Sequence, residues 1–485
     1  MALNLGVHVE EQATSVSTPV LADVSVPFVV GAAPAHSATD PAKPNVPVLC
    51  TSWDEAVQQL GFSYDWKSYP LCEFMYSHFQ LYGRQPVIFC NVLDSNKADM
   101  KDEEAGDGQT PIPVTDHQAK ISFDALPSTI QVSTDNEFSE NILTLDEDYS
   151  ILYDEDAGAC LVELLSTGEH YSEEQLYIKF SAVKPSAVAK TDIVEGLGVI
   201  DACMSTVGLV PDLICAPGWS HDTVVAAVMA TKAEGINGLF RAKALIDFDC
   251  GAEGVRKYSD LLATKNKNNF VDENQILCWP MVRLGDYIFH TSTQLAGLMA
   301  TVDADNGGVP FESPSNKNFK MDGACLEDGT EVVLTFEQTN IIAGYGIVTS
   351  LNFMSMGWTA RNNYTACYPA NTDVKDQFIP VSRMFDFVGN TLIRTFWSKL
   401  DKPMRLRLLD NIQDTVNIWL NGLVSQEYLL GARVELKAEE NPVTGLLAGI
   451  IKFHIYITPP VPAQEIHFVL EFSVDYLTSA LNLAA

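Results

Sequence analysis

One short segment carries the three residue types of a serine hydrolase in immediate succession. Ser220, His221 and Asp222 follow an apolar run that ends at residue 216. A nucleophile elbow needs the pattern G-x-S-x-G, because the second glycine lets the strained turn pack. The segment begins with Gly218, but Asp222 stands where the second glycine belongs. A triad is a spatial arrangement, so adjacency does not make His221 the base for Ser220. We interpret Ser220 as a helix N-cap, with a nucleophilic serine as the alternative.

Other patterns that bind cofactors or metals are incomplete. The glycine pairs 196/198 and 344/346 lack the third glycine of a dinucleotide-binding loop, and the P-loop pattern does not occur. No two of the nine histidines stand within five residues of each other, so the sequence contains no helical metal pair. The ten cysteines form no C-x-x-C pair and mostly lie in apolar contexts, which predicts free, buried thiols. We therefore expect no catalytic set, no cofactor and no metal.

Composition excludes several partner classes. The 485 residues include 63 acidic and 30 basic ones, for a net charge of −33. Such a chain is a poor partner for nucleic acid and is repelled by anionic membranes. No apolar run reaches the length of a membrane-spanning helix, and the first basic residue, Lys43, comes too late for a signal peptide. The 47% of apolar residues suffice for several buried cores, about three domains at this length.

Two stretches of the chain alternate strand and helix patterns. In the first, Ser52 and Glu55 have capping-box spacing and Gly61 follows as a helix stop. Apolar strands are predicted at 86–92, 211–216, 242–248 and 276–279. Alternation at this spacing predicts a sheet with helices on its faces. We predict an α/β multidomain protein whose α/β core has two parts, residues 20–93 and 186–360.

The region between these two parts has a different composition. Residues 94–175 contain 21 acidic residues against three lysines, a net charge of −18. Short strands are predicted at 128–133, 148–153 and 160–165. We predict an inserted small β-sandwich over residues 94–185, with the acidic residues on a solvated outer face. A calcium site is the alternative, but the run 154–158 lacks the ligand spacing of an EF-hand.

Both ends of the chain alternate with a period of two, as half-buried strands do. One face of the N-terminal segment is apolar, and so is one face of the C-terminal segment. The N-terminal apolar residues are Leu3, Leu5, Val7 and Val9, and the C-terminal ones are Ile466, Phe468, Leu470, Phe472 and Val474. The N-terminal strand is tethered by a polar stretch, so we assign residues 1–19 to an arm. Because strand backbones need partners, both segments must pair with something.

The C-terminal α+β domain, residues 361–485, contains one basic stretch. Helices are predicted at 381–397 and 404–423, with Pro403 as the first residue of the second. The stretch between and within them has a net charge of +4, with Asp401 as its one acid. Its basic residues are Arg394, Lys399, Lys402, Arg405 and Arg407. Two interpretations stay open: a solvated helix corner with its own ion pairs, or a surface that faces a partner.

Several segments resemble the tail sheath proteins of contractile-tailed bacteriophages. The resemblance is most specific near the C-terminus, where the segments follow the order found in that family. They are 361–373 (RNNYTACYPANTD), 383–387, 417–423, 430–435 and 457–466. Further upstream, Ala296, Gly297 and Asp303 are similar to the family pattern, as are segments 146–153, 211–217 and 314–317. The likeness covers most of the chain.

The resemblance implies a structural subunit and not an enzyme. Sheath subunits form stacked hexameric rings around an inner tail tube and contract to drive that tube through the host cell envelope. It implies that the two terminal strands are exchanged between subunits and that inserted domains lie outside. On this basis the basic stretch faces the tube. The implied partners are other copies of the chain, the inner tail tube protein, and baseplate and tail terminator proteins.

The resemblance also implies where the protein works. Its expected location is the virion tail, with assembly in the host cytoplasm. The sheath of a phage-derived bacteriocin or injection device is the first alternative. An α/β serine hydrolase built around Ser220 is the distant one.

Overall fold

A computed structural model describes residues 18–139, 141–474, 476 and 477 of the chain. Leu3, Leu5, Val7 and Val9, predicted to form the N-terminal strand, lie outside the described residues. Within the described part, buried apolar side chains form three clusters. The largest fills a mixed α/β region, the second fills an inserted sheet and the third lies among C-terminal helices and strands.

The first part of the α/β region contains three strands and two α-helices. They are β1 (Pro27–Gly31), β2 (Val48–Cys50), α1 (Trp53–Leu60), α2 (Pro70–Met75) and β3 (Val87–Asn91). The predicted cap of α1 is confirmed, because Ser52 accepts a hydrogen bond from the Glu55 backbone N–H at 3.2 Å. Gly61 ends the helix with a φ of 68°, a left-handed value that favours glycine.

Between the two parts of the α/β region, the chain forms a sheet of seven strands. They are β4 (Lys101–Asp107), β5 (Ile112–Thr115), β6 (Gln118–Ser122), β7 (Gln131–Ser133), β8 (Tyr149–Asp154), β9 (Ala159–Leu164) and β10 (Gln175–Val183). These strands are linked by hydrogen bonds into one sheet. The link is the long strand β10, whose first residues pair with β5 and whose later residues pair with β7 and β4.

The second part of the α/β region completes a central sheet. Its elements are α3 (Lys190–Gly198), α4 (Cys203–Thr206), β11 (Leu213–Cys215), α5 (Thr223–Glu234), β12 (Lys243–Asp247), α6 (Leu261–Asn268), β13 (Gln275–Cys278), β14 (Met281–Leu284), β15 (Tyr287–Phe289), α7 (Thr291–Asp305), β16 (Gly323–Cys325), α8 (Phe336–Gly344), β17 (Ile347–Asn352) and β18 (Trp358–Arg361). The eight-stranded sheet has the order β18-β17-β13-β12-β11-β1-β3-β2, parallel except at its two edge strands. Its inner strands are buried on both faces, as parallel strands covered by helices are. The predicted mixed α/β class is confirmed.

The C-terminal part combines helices with a two-stranded sheet. Its elements are α9 (Val374–Gln377), α10 (Ile379–Phe396), α11 (Leu406–Ser425), β19 (Gly431–Glu435), α12 (Val443–Leu447) and β20 (His454–Thr458). Pro403 does not begin α11, contrary to the sequence prediction, because the chain is still extended at the N-cap Arg405 (φ −131°, ψ 152°). Among the described residues, no helix has the length and apolar character needed to cross a membrane.

Helix α10 is joined to the α/β region by buried charges. The Arg383 guanidinium lies 2.6 Å from an Asp303 carboxylate oxygen and 3.1 Å from one of Asp212. One helical turn further on, Asp386 pairs with Lys243 of β12 at 2.9 Å. Burial raises the pKa of Asp212 above its usual range, although the Arg383 charge opposes the shift. Buried pairs of this kind fix one relative placement of the elements they join, because breaking one leaves an uncompensated charge.

Candidate functional site

In the structure, Ser220 and Asp222 are hydrogen-bonded to groups other than His221. Ser220 is buried, and its hydroxyl oxygen accepts a hydrogen bond from the Asp247 backbone N–H at 2.9 Å and lies 3.2 Å from the Asp247 carboxylate. The predicted N-cap role of Ser220 is wrong. Asp222 caps α5 instead, by accepting from the N–H groups of Val224 (2.8 Å) and Val225 (3.3 Å). The Ser220 hydroxyl is therefore hydrogen-bonded to a carboxylate in the protein interior.

A cavity of about 470 Å³ opens beside this constellation, at the carboxyl ends of β11 and β12. Its wall includes the ion pair between Glu73 and His290, whose carboxylate oxygen and Nδ1 are 2.8 Å apart. This pair joins α2 to the start of α7. Within the part of the chain that the structure covers, no group of three or more His, Cys, Asp or Glu side chains is arranged to hold a metal ion. All ten cysteines are free and buried, as the sequence predicts.

The C-terminal segment presents its apolar face to solvent. Ile466, Phe468, Leu470 and Phe472 are between 72% and 95% exposed. The predicted strand over residues 465–476 is not formed in the single chain, where 459–473 carries no regular secondary structure. A period-two sequence becomes a strand only when another strand supplies hydrogen-bond partners. Val474 and Tyr476 have helical backbone conformations.

A hydrogen bond holds the start of this exposed segment. The Tyr364 hydroxyl donates a hydrogen bond to Gln464 Oε1 at 2.8 Å. The Tyr364 ring is stacked on Tyr368, with ring centres 3.8 Å apart, and on Phe378 at 5.2 Å. The stacking fixes the direction of the hydroxyl, so the exposed segment leaves from a defined place.

The two edges of the C-terminal sheet differ: at the outer edge of β19 the Val434 N–H donates to Asn417 Oδ1 at 3.1 Å and the Val434 carbonyl accepts from Gln413 Nε2 at 3.2 Å, both from α11. Strands β19 and β20 are antiparallel, with Gly431 opposite Thr458 and Glu435 opposite His454. Among the described residues each of these strands pairs only with the other. One face of the sheet is covered, because Val434 and Ile455 belong to the third apolar cluster. The outer edge of β20, which pairs with no further strand among the described residues, is therefore the site where a further strand can be added.

The basic stretch divides into two groups in the structure. Arg394 is largely buried and forms an ion pair with Asp23, 2.6 Å away, so it is engaged within the chain. Lys399 is half-buried. The remaining three, Lys402, Arg405 and Arg407, are exposed between α10 and α11.

Large apolar side chains accompany these exposed cations. Trp397, Leu400 and Leu406 are about 60–73% exposed on the same corner. Within the described residues, no ion pair involves the exposed cations Lys402, Arg405 and Arg407. The corner therefore combines positive charge with apolar surface, as protein-binding surfaces often do.

No protein-family model matches the chain. Two curated proteins are similar in sequence. The tail sheath protein of Burkholderia phage BcepMu is 23% identical over 312 residues, which cover 60% of this chain and 64% of that protein. A putative prophage major tail sheath protein of Pseudomonas aeruginosa (strain UCBPP-PA14) is 25% identical over 285 residues, covering 56% and 68%. The match thus spans less than two thirds of the first relative's length.

Solved structures with the same fold cover nearly the whole chain. One is the helical sheath of the anti-feeding prophage in its contracted state, with a TM-score of 0.55 at 16% identity. Another is the sheath complex of the extracellular contractile injection system PVC, also contracted, with a TM-score of 0.56 at 12% identity. In both cases the alignment covers 98% of this chain and 99% of the other. The chain is thus a sequence relative of curated tail sheath proteins and has the fold of contractile injection system sheath subunits.

Proposed function

We propose that the chain is the structural subunit of a contractile tail sheath. Copies polymerise as stacked hexameric rings around an inner tail tube and contract to drive the tube through the host cell envelope. The inner tube protein, the baseplate and the tail terminator are its other partners. The assembled protein is a component of the virion tail, built in the host cytoplasm.

The exposed C-terminal segment is the observation that carries this proposal. Four large apolar side chains, those of Ile466, Phe468, Leu470 and Phe472, alternate on one face of an unpaired chain. Burying one such side chain contributes about 1.5–3 kcal/mol. The β19–β20 sheet belongs to the same C-terminal part, and the unpaired outer edge of β20 offers the hydrogen-bonding groups that the segment needs. Exchange of this segment between copies would bury its apolar side chains and pair its backbone in one contact.

The N-terminal residues Leu3, Leu5, Val7 and Val9 have the same alternation. We propose that they add a second strand to a neighbouring copy. In this arrangement residues 1–19 are an exchange arm, and residues 20–93 and 186–360 form the core. Residues 94–185 form an acidic insertion on the outside, and residues 361–485 form the sheath domain.

We propose that the exposed cations Lys402, Arg405 and Arg407 face the tube, together with the half-buried Lys399. Exposed ion pairs are individually weak and are screened by salt. A contact built from such pairs is strong only when the contributions of many identical subunits add up. It can also be released during contraction. Arg394, assigned to this surface from sequence, is removed from it because of its buried pair with Asp23.

A phage-derived bacteriocin or injection device is the second candidate. The structures of the anti-feeding prophage and PVC sheaths, which align over nearly the full chain, favour it. Capsid genes beside the coding gene indicate a phage tail, and their absence indicates a device. The remaining alternative, a hydrolase, predicts ester or peptide turnover that Ser220→Ala removes. We expect no turnover, because the Ser220 hydroxyl is buried against Asp247.

Electron microscopy of the purified chain tests the proposal. We expect hollow, striated tubes from the full-length chain. A chain lacking residues 1–12 should fold with the same circular dichroism spectrum and form no ordered tubes, because it loses a strand that docks on a neighbour. A full-length chain that stays monomeric at high concentration and moderate salt would contradict the sheath function. Unfolding of the shortened chain would contradict the exchange of its N-terminal strand.

A further inference from the structure

The N-terminal linker lies along helix α10 of the C-terminal part. We call residues 20–23 the root segment, because they are the described residues just after the proposed N-terminal arm. The backbone N–H of Val20 donates to the Thr395 hydroxyl oxygen at 2.9 Å, and that of Ala22 donates to Thr391 at 3.0 Å. The segment therefore runs antiparallel to α10.

The spacing of the two threonines matches that of an extended chain. Residues four apart on a helix are separated by about 6 Å along its axis, and alternate residues of a strand by about 6.6 Å. Alternate N–H groups of an extended segment point to the same side, so those of Val20 and Ala22 both reach α10. Thr391 and Thr395 thus receive the root segment much as the carbonyl groups of a neighbouring strand would.

Charge and packing hold the same segment. Asp23 pairs with Arg394, which lies between the two threonines, and also accepts from the Val210 N–H at 3.2 Å. Ala22 packs against the third apolar cluster, to which α10 contributes Met384 and Phe387. The hydroxyls of Thr391 and Thr395 are in buried residues, so water competes poorly for the N–H groups they receive.

We propose that Thr391, Arg394 and Thr395 position the N-terminal arm by fixing its root on the C-terminal part. The positioning of the arm rests on the proposed sheath function. The contact between the root segment and α10 does not depend on that function. It assigns Arg394 to the arm and not to the tube. With the root fixed, the arm and the exposed C-terminal segment both leave from the C-terminal part of the chain, at the defined points Val20 and Gln464.

Hydrogen exchange in the full-length chain tests the contact. The variant Thr391→Val with Thr395→Val keeps the side-chain shape and removes both acceptor oxygens. We expect the amides of Val20 and Ala22 to exchange at least tenfold faster, with α10 unchanged. Thr391→Ser with Thr395→Ser should restore the slow exchange. Thr231→Val is the control, because the Thr231 hydroxyl bonds only within α5, to the Ala227 carbonyl.

Polymerisation tests the positioning role. In the double valine variant, the concentration at which half the chain sediments as polymer should rise at least tenfold, and the serine variant should return it to the original value. Unchanged exchange at Val20 and Ala22 would overturn the proposed contact. Faster exchange with an unchanged polymerisation threshold would overturn the positioning role. A wild-type chain that never polymerises would contradict the sheath function and the positioning role together, and the exchange rates would still decide the contact.

Discussion

At the scale of single residues, the pair formed by Glu73 and His290 has a clear electrostatic signature. Burial lowers the pKa of His290, but the charge and hydrogen bond of Glu73 outweigh it, with help from Asp247. The net result raises the pKa of His290 to about 9, from an ordinary value of 6.5. The imidazole is therefore protonated at neutral pH, and its charge balances a carboxylate inside the molecule.

This pair predicts how stability depends on pH. Since the folded-state pKa of His290 is raised, its contribution is fully present below pH 6.5 and is lost as pH rises through about 9. We expect the unfolding free energy of the dispersed chain, measured by urea denaturation, to fall over this interval by on the order of 3 kcal/mol. The urea midpoint falls with it. Glu73→Gln removes the carboxylate, so it should lower the midpoint at pH 6.5 and flatten the dependence. Equal slopes for the two proteins would contradict this account.

At the scale of elements, a signal within one short segment predicts the structure only where its side chains have no distant partner. The cap of α1 was predictable because Ser52, Glu55 and Gly61 lie within ten residues of one another. The cap of α5 was misplaced by two residues. Serine and aspartate both cap helices, and nothing near Ser220 shows that its hydroxyl is engaged by Asp247 of β12.

The prediction of the site residues is also limited by contacts with distant parts of the chain. Alternation identified the exposed C-terminal segment, because a period of two is a local property. Charge alone identified the basic stretch, but the ion pair of Arg394 with Asp23 joins opposite ends of the chain. The one-sheet form of the insertion depends likewise on the pairing of β10 with three strands. Such contacts arise only from the tertiary fold.

The C-terminal segment allows a prediction that separates folding from assembly. Leu470 is 95% exposed in the chain, so Leu470→Asp should change the unfolding free energy of the dispersed chain by less than about 0.5 kcal/mol. In a polymer that buries this residue, the new carboxylate is desolvated without a partner, which is strongly unfavourable. We therefore expect the variant to fold and to remain unpolymerised in sedimentation and electron microscopy.

Val333→Asp is the matched control, because Val333 is 74% exposed outside the proposed interface. It should polymerise normally. Normal tubes from the Leu470→Asp variant would place this residue outside the interface between copies.

At the scale of the whole molecule, two electrostatic effects oppose each other. Each copy carries a net charge of −33, and −18 of it lies in residues 94–175, so packing copies together is opposed by repulsion that salt screens. The basic corner, in contrast, attracts an acidic partner, and salt weakens that attraction. Raising salt should therefore favour polymers of the sheath chain alone and disfavour sheaths held on a tube.

The exposed cations test this division directly. Lys402→Glu with Arg405→Glu should leave the subunit folded and able to polymerise, because both side chains are exposed. With tube protein present, we expect this variant to give empty, contracted-like tubes in electron microscopy, since reversed charges no longer hold the tube. The control Lys257→Glu with Lys267→Glu makes the same charge change at exposed positions of the core, and it should build tube-filled sheaths. Tube-filled sheaths from the first variant would mean that the corner between α10 and α11 faces elsewhere. Empty tubes from both variants would mean that total charge, and not this corner, governs attachment.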